Sequence, residues 1–74
     1  MPMINVTAIE NVFTAEQKKE IIEKLTEAMV SIEGENLRGA TWVIINEVKS
    51  GDVGIGGQVM TTEAVHQMQK AVPA

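Results

Sequence analysis

The sequence predicts an α+β fold: a β-α-β unit followed by a glycine-rich hairpin or bulged turn, in a chain that associates with copies of itself. Three observations predict it. Residues 2–9 alternate loosely between the two faces of a strand, residues 15–32 repeat apolar side chains at helical spacing, and Trp42–Ile45 form an unbroken apolar run. With 74 residues the chain is a single domain over 1–74, small enough to bury only about 60–65% of the surface its unfolded form exposes.

In the first strand Ile4, Val6 and Ala8 fall on one face, and Met3, Asn5, Thr7 and Ile9 on the other. "ENVF" at 10–13 breaks the pattern as a short loop. "TAEQ" at 14–17 has the form of a capping box, with Thr14 as N-cap and Gln17 reaching back. Ile21, Ile22, Leu25, Met29 and Ile32 then recur along one stripe, which Ala28 fills, and Glu20 and Lys24 are spaced to pair across one turn. Gly34 supplies a left-handed stop, and "ENLRGA" reads as a connecting loop. A crossover of this length makes the two strands parallel. Four glycines lie within residues 51–57, which suits a hairpin or a bulged turn. The tail, 58–74, predicts a short helix capped by Thr61 or Thr62, with Val65, Met68 and Val72 on one side and His66 solvated.

Self-association follows from covering the sheet. A run without alternation, Trp42–Ile45, belongs to a strand buried on both faces, and one helix covers only one. The second face, with Met3 and Ile9, would leave an apolar patch on the order of several hundred Å², which soluble monomers rarely tolerate. Another copy of the chain is the economical cover.

Ten acidic against six basic residues give a formal charge of −4, and the basic residues form no cluster. That excludes nucleic acid and anionic membrane surfaces as partners. No apolar run approaches the roughly 18 residues of a membrane span, so a soluble cytoplasmic protein is expected. The absence of cysteine excludes disulfides and thiolate metal sites, and the single histidine has no companion for a zinc centre. No spacing supports a carboxylate pair or a Ser-His-Asp triad. One unusual group remains. Pro2 reads either as a strand-entry proline or, if Met1 is removed, as a secondary amine able to serve as a base.

"MP" leading straight into a strand, the helix "TAEQKKEIIEKLTEAM" and the segment "VIINEVKSGDVGIGG" together resemble the 4-oxalocrotonate tautomerase family over residues 2–58. The resemblance implies a β-α-β subunit with a C-terminal hairpin, commonly assembled as a homohexamer. It implies that an exposed N-terminal proline, here Pro2, moves a proton between carbon and oxygen of a small enol or α-keto acid, without a cofactor. The function so implied is that of an isomerase, a keto-enol tautomerase.

The chain departs from the family pattern at three places. The arginine that well-known members carry after the first strand is absent from "ENVF", a second family arginine aligns with Trp42, and the family's bulky aromatic aligns with Val53. Arginine clamps a carboxylate bidentately, so its loss points to a substrate less charged than a diacid. Arg38, four residues before Trp42, reads either as a replacement from the loop or as a solvated loop arginine. The expected substrate-binding residues are therefore Arg38, Trp42 and Val53, with Trp42 either a pocket wall or a packing anchor between subunits. Two alternatives stay open: a hydratase or dehalogenase of the same superfamily, with Glu10 or Glu47 to position water, and a non-catalytic oligomeric binding protein on this scaffold.

Overall fold

The computed structural model describes residues 2–70. Strand β1 (Met3–Ile9) leads through a turn to helix α1 (Ala15–Glu33), a 3₁₀ helix spans Glu35–Ala40, and strand β2 (Trp42–Val48) follows. Strands β3 (Val53–Ile55) and β4 (Gln58–Met60) form a hairpin, and helix α2 (Thr62–Lys70) ends the described chain. β1 and β2 are parallel, in register from Met3 beside Trp42 to Ile9 beside Val48, and β3 and β4 are antiparallel. The β-α-β subunit with its C-terminal hairpin is thus the architecture observed.

Helix α1 starts where its local chemistry demands. The Thr14 hydroxyl accepts from the Gln17 N–H at 3.1 Å, and the Gln17 side chain accepts from the Thr14 N–H at 2.9 Å, so two otherwise orphaned donors are satisfied. Glu20 and Lys24 form the expected ion pair. At the other end the Gly34 N–H donates to Val30 O, with φ 102° and ψ 154° at Gly34. The stop is a positive-φ glycine as expected, but extended rather than left-handed helical, a region open essentially to glycine alone. "ENLRGA" is not an open loop: Leu37 and Thr41 N–H groups bond Gly34 O and Arg38 O three residues back, which winds the segment into the 3₁₀ helix.

Packing of α1 on the sheet corrects part of the expected stripe. Val30 is buried, whereas Ile32 is 84% exposed and Ile22 and Ala28 are also exposed. Two paired strands lie only about 4.8 Å apart, so the sheet covers a limited arc of the helix. Ile21, Leu25 and Met29 of the expected stripe are half-buried within it, while Ile22, Ala28 and Ile32 fall outside. Ile21 and Leu25 join Val6 and Phe13 in an open groove of about 390 Å³.

The sheet's other face is open. Parallel register puts Ile4 with Val43 and Val6 with Ile45 on the helix side, and Met3 with Trp42 and Asn5 with Ile44 on the other. Met3 and Trp42 are about half exposed. Ile9 corrects the expectation, being covered within its own chain. The 10–13 turn folds back, with the Val12 N–H donating to Ile9 O at 3.3 Å, and both side chains are buried. Among the described residues only Ile9, Val12 and Val30 are buried apolar side chains. The radius of gyration is 15.1 Å, against about 11 Å for a compact chain of this length.

The hairpin turns through Gly56 and Gly57, both at positive φ (59° and 83°), between the paired Ile55 and Gln58. That is the pattern of the two-residue turn whose twist suits a hairpin. Thr61 caps α2, its hydroxyl accepting from the Ala64 N–H at 3.1 Å. The helix is tied to the far end of the sheet: the Thr62 N–H donates to Ser50 Oγ, the Thr62 hydroxyl to Glu10 O, and the Ser50 N–H to Glu10 Oε2. His66 is half-buried rather than solvated, with Nε2 3.0 Å from Asn11 O, so that nitrogen carries the proton it donates. Val72, expected on the apolar side of this helix, lies outside the described residues. No helix among the described residues is long and apolar enough to cross a membrane.

Candidate active site

Pro2 sits at the start of the sheet, half-buried, and its carbonyl accepts from the Trp42 N–H at 3.0 Å. Its carbonyl therefore takes the place of a first ladder position, and the backbone of β2 fixes where the N-terminal residue lies. Continuing the register one step before Met3 and Trp42 sets Pro2 beside Thr41, on the helix side of the sheet. Trp42 faces the other way, 56% exposed. Pro2 and Trp42 are thus brought together by the backbone, with their side chains on opposite faces of one sheet end.

Arg38 lies near this end, on the 3₁₀ helix that delivers the chain into β2. Its guanidinium is engaged by two carboxylates in forked pairs. Nη1 and Nη2 donate to Glu27, and Nε and Nη2 to Glu35, with Nη2 distances of 3.1 and 3.2 Å. Four of its five N–H donors are taken. Hydrogen bonds from Arg38 hold both Glu27 and Glu35 below the ordinary carboxylate range, and the same bonds push Arg38 further up. Arg38 remains substantially exposed.

Val53 lies at the opposite end. β2 runs six steps from Trp42 to Val48, about 20 Å at 3.3 Å per residue, and Val53 pairs with Met60 beyond that. Met60 O accepts from the Gly51 N–H, and two residues on, Thr62 bonds to Glu10. One chain therefore does not bring Val53 and Pro2 into one pocket. The two carboxylates considered for positioning water are both engaged: Glu10 accepts from the Ser50 N–H at 3.0 Å, and Glu47 pairs with Lys18 at 2.9 Å. Among the described residues no three His, Asp or Glu side chains are grouped to hold a metal ion.

Sequence reasoning missed Glu33 and Thr41. The Thr41 hydroxyl lies against Glu33 Oε2 and 2.8 Å from Leu37 O, while Glu33 Oε1 is shielded from solvent with no hydrogen-bond partner. A signal existed: a carboxylate in the last turn of a helix opposes the macrodipole and demands a local reason.

A profile of the family described as tautomerase enzyme matches residues 2–63. The chain belongs to the 4-oxalocrotonate tautomerase family. It is 41% identical over 61 residues to the probable tautomerase K2 of Dickeya dadantii, covering 82% of this chain and 90% of that one. It is 38% identical over 72 residues to a probable tautomerase of Helicobacter pylori, covering 95% and 97%. Among solved structures, apo unfused 4-OT superposes with a TM-score of 0.71 at 37% identity, over 86% of this chain and 98% of that one. DmpI from Helicobacter pylori gives 0.68 at 33%, over 88% and 98%. Membership of this family supports isomerase activity of the tautomerase kind in general.

Proposed function

We propose that this tautomerase-family chain is a cofactor-independent keto-enol tautomerase of small enol and α-keto acids, with Pro2 as general base and then acid once Met1 is removed. The observation that carries the reading is Pro2 itself: the family match begins at this residue, which is half-buried and held by the Trp42 N–H. The chemistry balances with one amine. The enol O–H bond breaks as the Pro2 nitrogen takes its proton, and the ammonium then returns a proton to carbon as the C–H bond forms. An ordinary α-amino group titrates near 7.7–8.0, and burial favours its neutral form. A base of that strength suits proton transfer near neutral pH. An amide nitrogen, as in an intact Met1–Pro2 bond, has no such basicity.

The working unit in this reading is an oligomer, with a homohexamer as the family expectation. Its support is the groove of Val6, Phe13, Ile21 and Leu25, the open face of Met3 and Trp42, and the sparse core. A pocket containing both Pro2 and Val53 needs them from different copies, about 20 Å being too far within one. Trp42 walls the pocket or anchors the interface beside it. Arg38 serves a carboxylate only by exchanging Glu27 or Glu35 for it, which favours substrates carrying a single carboxylate or a weak anionic group. The test is ketonisation of a small enol by the mature chain, with loss of Met1 established by intact mass. Pro2→Ala is expected to lose most of the activity, and equal rates would remove Pro2 from the mechanism.

A further inference from the structure

The last residue of α1 carries a carboxylate for which the described chain supplies too few donors. Glu33 Oε2 meets the Thr41 hydroxyl, but Oε1 is buried without a partner. A buried carboxylate oxygen without a donor is rare in folded proteins and calls for an explanation. The helix adds none, since its last turn holds no basic residue and its C-terminal end is the negative pole of the macrodipole.

The donor is available one step away, in a different chemical state of the chain. Thr41 is the register neighbour of Pro2, and the Trp42 N–H on Pro2 O shows that the two strands still pair there. Alternation puts both residues on the helix side, where Glu33 reaches Thr41. While Met1 is attached, the Pro2 nitrogen is a tertiary amide with no hydrogen to donate. Once Met1 leaves, the same nitrogen becomes a secondary ammonium with two N–H groups.

We infer that Glu33 is a positioning residue for the N-terminal amine, with Oε2 held by Thr41 and Oε1 accepting one N–H of the Pro2 ammonium. This rests on Pro2 being the base. The second N–H, aimed away from Glu33, is then the one delivered to substrate carbon. When the ammonium has released that proton, the remaining N–H stays on Glu33 and the lone pair points into the pocket. Removal of Met1 both creates the catalyst and satisfies the buried oxygen that orients it.

The other charged groups at this end of the sheet are Glu27 on α1 and Glu35 and Arg38 on the 3₁₀ helix, already engaged with one another. β1 carries no charged residue, and β2 carries none before Glu47 at its far end, which is paired with Lys18. A change at Glu33 therefore alters the field at Pro2 without disturbing another charge pair.

The test is the titration of the Pro2 nitrogen in the mature full-length chain, followed by 15N NMR of proline-labelled protein. The pH profile of kcat/KM for ketonisation of an arylpyruvate enol accompanies it. Glu33→Gln is expected to lower the amine titration by about one unit, the effect of losing a close opposite charge, and to move the ascending limb of kcat/KM to lower pH by the same amount. A merely structural Glu33 would change thermal stability and leave both curves in place, and that result overturns the proposal. Glu33→Asp keeps the charge one methylene shorter and is expected to titrate between the two. Should Glu33→Gln fail to fold, a Glu33→Asp titration identical to the parent's overturns the proposal instead. Pro2→Ala separates the two readings. Full activity there removes Pro2 as the base, whereas an inactive Pro2→Ala with an unmoved Glu33→Gln titration removes Glu33 alone.

Discussion

Replacing Trp42 by alanine tests whether the open face of the sheet is an interface. The indole is 56% exposed in the single chain, so the substitution removes little that the chain by itself has buried. In an assembly that covers this face the remainder is lost from water. An indole of roughly 250 Å² has about 140 Å² left to bury, worth about 3.5 kcal/mol per subunit at 25 cal/mol/Å². That corresponds to roughly a 300-fold weaker association for each copy of the contact. Sedimentation velocity of both proteins over a dilution series reads this directly, and the expected result is a smaller species for Trp42→Ala at concentrations where the parent remains assembled. An unchanged mass down to the lowest concentration refutes the interface role. If KM rises while the mass holds, Trp42 is a pocket wall instead.

Two further substitutions probe the elements that place the site. Thr14→Ala deletes one side of the capping box and is expected to cost about 1 kcal/mol, seen as a thermal midpoint lower by about 5 °C; an unchanged midpoint would mean the bond from the Gln17 N–H to the Thr14 hydroxyl at 3.1 Å contributes nothing. Arg38→Ala probes the charge cluster through pH. Because Arg38 depresses Glu27 and Glu35, their contribution is present above the ordinary carboxylate value near 4.5 and is lost as pH falls through the lower folded values. Urea midpoints of the parent should therefore fall more steeply in that acid window than those of Arg38→Ala, and parallel curves would show that these exposed pairs add no stability.

Features written in neighbouring residues were legible in the sequence. Thr14 and Gln17 announce the helix start because a capping box is closed within four residues, and Gly56-Gly57 announce a turn because few other pairs accept two positive φ values. The strand assignments, the parallel pairing and the open face followed from apolar pattern and crossover length. Pro2 stood out because its chemistry depends on its position alone. The limits of the covered face of α1 were not legible: spacing identified Ile21, Leu25 and Met29, which are half-buried, but not that Val30 is buried and Ile32 is exposed. Polar composition made "ENLRGA" look like an open loop, since three-residue hydrogen bonding leaves no hydrophobic period to detect. The contacts of Arg38 with Glu27, of Thr41 with Glu33 and of His66 with Asn11 span 11, 8 and 55 residues, and no local rule reaches that far. The acidic residue at the helix C-terminus was a clue to one of them.

Among the described residues only Ile9, Val12 and Val30 are fully buried apolar side chains within one chain, and this makes protein concentration a thermodynamic variable for the fold itself. Three such side chains offset little of the backbone entropy of nearly seventy ordered residues. Whatever further burial the native state needs comes from neighbours, so mass action links folding to assembly. Dilution is then expected to act on this molecule as a mild denaturant, and to lower the proposed activity with it.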